Sequence, residues 1–197
     1  MFESNDQDVL GGMTQRRSFL ATGAAALAGY FLWLLKKPHL MTVSASTKEV
    51  TIVQFSDDGK RLQKVKVPKI VKSEAEWRKQ LSPDEFEVTR HAGTERAFGG
   101  RYWDLHDKGL FRCICCDNAL FDSATKFESG TGWPSFWAPI AAENVTEIRD
   151  TNFGMVRTAI ACTECAAHLG HVFDDGPEPT HLRYCMNSAS LRFVPRS

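Results

Sequence analysis

The chain has 197 residues, 43% of them hydrophobic, and its 24 Lys and Arg are balanced by 24 Asp and Glu, so the formal net charge is zero. A neutral chain lacks the basic excess with which proteins bind nucleic acid, and 13 Phe with 5 Trp exclude a disordered composition. Six cysteines are too few for a scaffold built on disulfides. The composition predicts one globular domain with, at most, an appendage.

The first 45 residues have the pattern of an export signal. A basic pair precedes an uncharged run, and a second basic pair and a small-residue cleavage site follow it: Arg16-Arg17, residues 19–35, Lys36-Lys37 and Val43-Ser44-Ala45. The arginine pair followed by x-Phe-Leu resembles a twin-arginine signal. Residues 1–45 are therefore expected to direct export to the periplasm. An uncleaved inner-membrane anchor that faces the periplasm is the alternative, with residues 19–35 as the membrane tether.

The next segment predicts a β-hairpin over residues 46–72 and then two short helices. Residues 48–55 and 62–67 alternate in polarity on either side of an Asp-Gly turn. This hairpin is expected to seal a sheet edge; extending a substrate surface is the alternative. Ser73 and Glu76 have the spacing of a capping box, and Ser82-Pro83 begins a second helix.

Helical periodicity disappears after Phe98, where glycines recur between short aromatic and β-branched runs. This pattern is typical of an antiparallel β domain, and residues 149–161 predict a hairpin around Asn152-Phe153-Gly154. The expected fold of residues 73–197 is mainly β, with short helices at its N-terminal end.

Two CxxC pairs predict a metal site. Cys113 with Cys116, and Cys162 with Cys165, can place four thiolates around one ion, and such a closed tetrahedral set suits one structural zinc ion. Redox-active dithiols, or a chance occurrence, are the alternatives. Cys115 lies inside the first pair and is expected to fill a turn.

Cys185 is the cysteine with a nucleophile's surroundings. On a strand, Arg183, Cys185 and Asn187 share one face, and a guanidinium beside a thiol is expected to lower the thiol pKa. The amide of Asn187 can form a hydrogen bond with a bound oxygen.

Two histidines and an aromatic loop complete the candidate site. His168 and His171 can transfer protons, with Asp174 or Asp175 orienting one ring; an open metal site is the alternative. Trp133, which lies between Gly132 and Pro134, is expected to form the wall of a pocket. Phe136 is a further substrate-contact candidate, with core packing as its alternative.

Residues 129–136, 168–173 and 183–188, with the four paired cysteines, resemble the signature blocks of B-type methionine sulfoxide reductases, and the resemblance runs from about residue 74 to 193. It implies two antiparallel sheets with zinc remote from the active site, and repair of oxidised methionine in proteins and peptides. By resemblance, Cys185 attacks the sulfur of a methionine-R-sulfoxide, and His168, His171 and Asn187 bind and protonate its oxygen. Trp133 holds the methyl group, and Phe136 and Arg183 belong to the substrate site.

One position departs from the family pattern. Many family members have a resolving cysteine where this chain has Thr131. An external, thioredoxin-like thiol reductant is therefore expected to regenerate Cys185, and resolution by Cys115 is the alternative. Two other functions remain open, namely a zinc-braced binding module without chemistry and a metal-dependent hydrolase or oxygenase that uses the histidine pair.

Overall fold

The computed structural model describes residues 48–151 and 156–196. The predicted export signal and the tip of the predicted 149–161 hairpin lie outside the described residues. Within the described part of the chain, no helix combines the length and the apolar character needed to cross a membrane.

Eleven strands and two α-helices make up the described part. The helices are α1 (Glu74–Gln80) and α2 (Pro83–His91). The strands are β1 (Glu49–Phe55), β2 (Arg61–Pro68), β3 (Gly109–Cys113), β4 (Ala119–Asp122), β5 (Lys126–Phe127), β6 (Ser135–Phe136), β7 (Val145–Asp150), β8 (Arg157–Cys162), β9 (His168–Phe173), β10 (Arg183–Met186) and β11 (Leu191–Pro195). Single 3₁₀ turns occupy Ser123–Thr125, Ala142–Asn144 and Ser188–Ser190.

The strands form two main antiparallel sheets and one separate hairpin. The larger sheet has the order β5-β6-β10-β9-β8-β7, the smaller has the order β11-β3-β4, and β1 pairs with β2. All of these pairs are antiparallel. The predicted mainly β fold, with two antiparallel sheets and short N-terminal helices, is confirmed.

Both helices begin where local sequence rules place them. The Ser73 side chain accepts from the Glu76 amide while the Glu76 carboxylate accepts from the Ser73 amide, and Ser82 makes the same reciprocal pair with Glu85. Pro83 occupies the first turn of α2, where its missing N–H costs no hydrogen bond. The two capping boxes are confirmed.

An aromatic cluster fills the space between the two main sheets. Phe136 is fully buried, stacks on Phe121 with ring centroids 4.4 Å apart, and meets Phe111 edge-on at 5.0 Å. A side chain enclosed on all sides in this way cannot reach a substrate. The predicted substrate contact of Phe136 is wrong, and core packing is the correct assignment.

The β1–β2 hairpin is fastened by side chains rather than by strand pairing with another sheet. The buried amide of Asn144 accepts from the Val53 N–H at 2.7 Å and donates to the Val53 carbonyl at 2.8 Å. The same amide donates to the Ala119 carbonyl on β4 at 2.7 Å. Asn144 therefore satisfies backbone groups that a neighbouring strand would otherwise pair.

Candidate active site and metal site

Four cysteines predicted as metal ligands lie together. All four Sγ atoms are within 4.8 Å of one another, with 3.6 Å between Cys113 and Cys165 and 3.5 Å between Cys116 and Cys162. A tetrahedral zinc site with Zn–S bonds of about 2.3 Å places its sulfurs about 3.8 Å apart, so this donor set fits zinc. The predicted structural metal site is confirmed as a four-cysteine cluster.

The two CxxC pairs adopt the same turn conformation. Cys113 ends β3 and accepts from the Asp117 amide at 2.9 Å; Cys162 ends β8 and accepts from the Ala166 amide at 2.9 Å. Asp117 and Ala166, the residues after the second cysteines, have φ of 66° and 57°. Each turn reverses the chain within its CxxC, and this brings both sulfurs of the pair to one side.

Cys115 lies next to the zinc ligands and is 4% exposed. Its carbonyl accepts from the Gln80 side chain at 2.7 Å, which ties this turn to α1. Around the cluster, Arg90 donates to the Cys165 carbonyl at 3.1 Å and the Asn118 amide lies 3.6 Å from the Cys162 sulfur. These N–H groups orient the ligands and offset the negative charge of the thiolates.

A second site surrounds Cys185, which lies in the middle of the larger sheet. β10 runs between β6 and β9, so Cys185 has Ser135 as its register partner on one side and His171 on the other. A cavity of about 150 Å³ opens beside it. Its lining comprises Thr94, Trp133, Arg157, Gly170, His171, Phe173, Cys185, Met186 and Asn187. The structure thus brings together the predicted cysteine, one predicted histidine, the asparagine and the tryptophan.

Burial raises the pKa of the Cys185 thiol above its ordinary value, and this effect outweighs the opposing influence of Arg183, Thr131 and Ser135. The Arg183 guanidinium is largely engaged elsewhere, because it donates two hydrogen bonds of 2.8 Å to Asp175. The expected net lowering of this pKa is therefore wrong, although the charge of Arg183 acts in the predicted direction. Cys185 is a thiol at neutral pH.

A chain of hydroxyl groups contacts the thiol. The Thr131 Oγ1 lies 4.0 Å from the Cys185 Sγ and 2.8 Å from the Ser129 hydroxyl, which is in turn 2.7 Å from that of Ser135. These contacts fix the loop that carries Trp133 against β10.

Glu95 holds the tryptophan and the asparagine, and no motif in the sequence indicated it. Its carbonyl accepts from the Trp133 indole at 3.1 Å, and its amide donates to the Asn187 side chain at 3.0 Å. Its carboxylate accepts from the amides of residues 188 and 189 at 2.6 and 2.9 Å. One glutamate therefore sets the positions of two side chains that line the Cys185 cavity.

The carboxylate that contacts His171 belongs to Asp150, at the end of β7. The Asp150 Oδ2 lies 2.9 Å from the His171 Nε2 and accepts from the Arg157 guanidinium at 2.7 Å. The Asp150 and His171 side chains are 11% and 14% exposed, so water screens their interaction only partly. The residues predicted for this role are Asp174 or Asp175. That assignment is wrong, because Asp175 pairs with Arg183.

His168 lies beside the Cys185 cavity without lining it. Its ring centroid is 5.3 Å from that of His171, and burial, with the nearby charge of His171, lowers its pKa to about 4. His168 is therefore neutral at physiological pH. Among the described residues, the four cysteines are the one group of three or more side chains placed to hold a metal ion, so the histidine pair forms no second such group there.

Comparison with known proteins agrees with the resemblance. Residues 81–195 match the SelR domain family. Three similar curated proteins are named peptide methionine sulfoxide reductase MsrB. The Herminiimonas arsenicoxydans protein is 56% identical over 125 residues (64% of this chain, 91% of the relative). The Hahella chejuensis protein is 57% identical over 125 residues (64% and 90%). The Pseudomonas fluorescens protein is 57% identical over 128 residues (65% and 98%).

Proposed function

The chain belongs to the SelR-domain family of MsrB-type reductases, and we propose that it reduces methionine-R-sulfoxide in peptides and proteins with Cys185 as the nucleophile. The observation that carries the assignment of roles is the single cavity that holds Cys185, His171, Asn187 and Trp133. A binding module that had lost the chemistry would have no reason to keep these four groups together.

The reaction is a transfer of oxygen between two sulfurs. The Cys185 thiol loses its proton as its sulfur attacks the sulfoxide sulfur and forms an S–S bond, while the sulfoxide oxygen gains a proton. The oxygen then passes to the Cys185 sulfur as the S–S bond and the substrate S–O bond break. The products are methionine and a sulfenic acid on Cys185, so the substrate is reduced by two electrons and the cysteine is oxidised by two. Repair of oxidised methionine, as part of the response to oxidative stress, is the biological outcome.

Four side chains around Cys185 have distinct parts in this step. His171, held by Asp150, supplies the proton to the sulfoxide oxygen. The Asn187 Nδ2 donates to the Leu169 carbonyl at 3.1 Å, and its second hydrogen is left for the sulfoxide oxygen. The indole of Trp133 provides an apolar face for the methyl group. Arg183 favours the thiolate of Cys185.

His168 acts beside the oxygen-binding groups rather than in direct contact with the thiol. It remains neutral at physiological pH, and its ring packs against that of His171 with the centroids 5.3 Å apart, so it helps to position His171.

Regeneration of Cys185 depends on an external thiol of the thioredoxin type. One reductant thiol attacks the sulfenic sulfur and releases water, and a second thiol then displaces Cys185 as a free thiol and leaves the reductant as a disulfide. The alternative resolving residue, Cys115, is buried among the zinc ligands. A disulfide from that position would require opening the metal site, which favours the external route.

The enzyme works in the periplasm after export by the twin-arginine route, with residues 46–72 as an N-terminal extension and residues 73–197 as the catalytic domain. The support is the signal pattern of residues 1–45, together with a fold that encloses a metal, because this route carries folded proteins.

We expect to find a form in the periplasm that begins near Ser46. This form should be lost when Arg16 and Arg17 are both replaced by Lys. An intact chain found in the membrane fraction would instead support the anchor, and an intact cytoplasmic chain would contradict export.

The reaction is tested with separated R and S epimers of an N-blocked methionine sulfoxide peptide, with dithiothreitol as the reductant. The zinc-loaded chain is expected to turn over the R epimer and to leave the S epimer unchanged. If the folded, zinc-loaded protein turned over neither epimer, the enzymatic function would be wrong and the binding module would be favoured.

Asp150→Asn tests whether the carboxylate serves proton transfer. We expect kcat to fall about tenfold, because the amide keeps a similar shape but cannot offer a negative charge to the imidazole as it handles the proton. The measurement is steady-state methionine formation at saturating substrate and dithiothreitol, which gives kcat, with the melting temperature recorded alongside. The matched control is Asp174→Asn, the same change at an exposed carboxylate three residues after His171. An unchanged kcat in Asp150→Asn would remove Asp150 from the mechanism.

A further inference from the structure

A second and larger cavity adjoins the site of Cys185. Its volume is about 350 Å³, more than twice that of the Cys185 cavity. One side is the face of β7, β8 and β9, and the other is the end of α2 with the segment that follows it. The lining comprises Thr89, Arg90, Ala92, Thr94, Ile148, Arg149, Asp150, Arg157, Ala159, Ala161, Ala166, His168 and His171. The mechanism above uses only a few of these residues.

The two cavities are contiguous. Thr94, Arg157 and His171 line both of them, so a group bound beside Cys185 is separated from the second cavity only by these side chains. A free methionine sulfoxide needs the smaller space alone. A methionine sulfoxide within a polypeptide has neighbours, and a neighbouring residue can extend past His171 into the second cavity.

The second cavity is positively charged, although the chain as a whole is neutral. Arg90, Arg149 and Arg157 line it against the single carboxylate of Asp150, and His168 adds no charge at physiological pH. The excess is therefore local to this cavity. Such an excess favours an anionic group over a cationic one.

Two buried nitrogen atoms on this lining lack a hydrogen-bond partner within the described part of the chain. They are the Arg157 Nε, which is a donor, and the His168 Nε2. Unpaired buried polar atoms are rare and costly, and an acceptor oxygen from water or from a ligand satisfies them. Both atoms belong to side chains that line this cavity, but neither atom is exposed to it, so an acceptor oxygen of a ligand reaches them only when these side chains shift.

The remaining lining suits the aliphatic part of a side chain. Ala159 and Ala161 point from β8 to the same face and leave the space open, and Ile148 is half exposed beside them. A glutamate side chain fits both parts of this cavity, because its short apolar stem matches the alanine surface and its carboxylate matches the arginines.

We infer that this cavity is a subsite for the residue next to methionine sulfoxide in a polypeptide substrate, and that it favours an acidic side chain there. The subsite rests on the proposed function, since it selects among substrates of that same reaction. Selection of this kind acts on binding of the flanking residue and not on the chemistry at sulfur.

The test compares kcat/KM for three blocked tripeptides in which the R-sulfoxide is flanked on both sides by Glu, by Gln or by Lys. Dithiothreitol, which is uncharged, is the reductant, and the full zinc-loaded chain is the enzyme. The expected order is Glu, then Gln, then Lys, with a Glu-to-Lys ratio of about five, as for a partly exposed ion pair. Added salt should bring the ratio towards one.

Arg149→Glu assigns the effect to the cavity. Arg149 is exposed, so its replacement leaves the core intact, and the variant should bring the Glu-to-Lys ratio to about one, because it leaves two arginines against two carboxylates on the lining. The matched control is Arg61→Glu, the same charge change on β2, whose side chain lines neither cavity. The control should keep the wild-type ratio.

Three results would overturn the inference, and they are distinguishable. Equal kcat/KM for the three peptides, with normal turnover of a blocked single-residue sulfoxide, would remove the subsite and leave the proposed function in place. No turnover of any peptide or of the single-residue sulfoxide would remove both. A ratio that changed equally in Arg149→Glu and Arg61→Glu would also exclude the cavity as its source.

Discussion

Cys185→Ser is expected to abolish methionine sulfoxide reduction, a loss of at least about 1000-fold, without unfolding the protein. A hydroxyl is a far weaker nucleophile than a thiol at neutral pH. More decisively, a serine oxygen that accepted the sulfoxide oxygen would have to form an O–O bond, whereas sulfur forms a stable sulfenic acid. The side chains differ little in size, and Cys185 is only partly buried, so the fold should tolerate the change.

The measurement is methionine release from the R epimer, with zinc content and melting temperature determined for the same sample. Cys115→Ser is the matched control, because it removes the other cysteine outside the zinc cluster and should leave turnover intact. Residual activity within tenfold of the wild type in Cys185→Ser would show that another group carries out the attack.

In the absence of a reductant, the oxidised form of Cys185 is expected to accumulate. One equivalent of the R-sulfoxide should leave a sulfenic acid on Cys185, which dimedone traps, because the Thr131 hydroxyl 4.0 Å away cannot form a disulfide. In T131C the trapped product should be replaced by an intramolecular disulfide. A disulfide that joins Cys115 to Cys185 in the wild-type chain would contradict the external route of reduction.

Local signals in the sequence were sufficient for the elements that depend on near neighbours. The β1–β2 hairpin follows from alternation about an Asp-Gly turn, and the starts of α1 and α2 follow from serines three residues before glutamates. Each of these features is decided within about ten residues. The CxxC pairs succeeded for a related reason, since the spacing within each pair already places two sulfurs on one side of a turn.

The sequence alone could not predict which side chains contact each other across the sheet. Asp150 reaches His171 because β8 aligns Asp150 with Arg157 and Ala159 with His171, and no spacing in the sequence encodes that register. Glu95 lies in a polar segment with no periodicity, and its importance depends on the two loops that it joins.

One error could have been avoided from the sequence. Successive residues of a strand point to opposite faces, so Ser135 and Phe136 cannot both face the thiol. The structure pairs Ser135 with Cys185 and Phe136 with Tyr184, which places the hydroxyl at the site and the phenyl ring in the core. The resemblance to the family covers the whole block of residues 129–136, and the alternation of side chains along the strand decides which residues of that block can contact a substrate.

Removal of zinc is expected to unfold the domain, and not merely to inactivate it. Cys113 and Cys162 end β3 and β8, and the other two ligands lie in the turns that follow these strands; because the strands belong to different sheets, the ion joins the two sheets. Structural zinc contributes an apparent 10–16 kcal/mol in small zinc domains, against a total folding free energy of about 5–15 kcal/mol for a typical protein. Loss of the ion would also leave four sulfurs within 4.8 Å of one another without a cation to hold them.

The measurement is a titration with a zinc chelator, in which zinc release, circular dichroism and turnover of the R epimer are followed in parallel. The three curves should share one midpoint, and Cys162→Ser should lose zinc and cooperative unfolding even without chelator. Cys115→Ser, a change of the same kind one residue from Cys116 and two from Cys113, should keep the ion and unfold cooperatively. If activity vanished while the circular dichroism spectrum stayed intact, the metal would be taking part in the reaction, as the hydrolase or oxygenase hypothesis requires. A common midpoint would assign the loss of activity to unfolding, in agreement with a closed set of four thiolates that leaves no coordination position for a substrate.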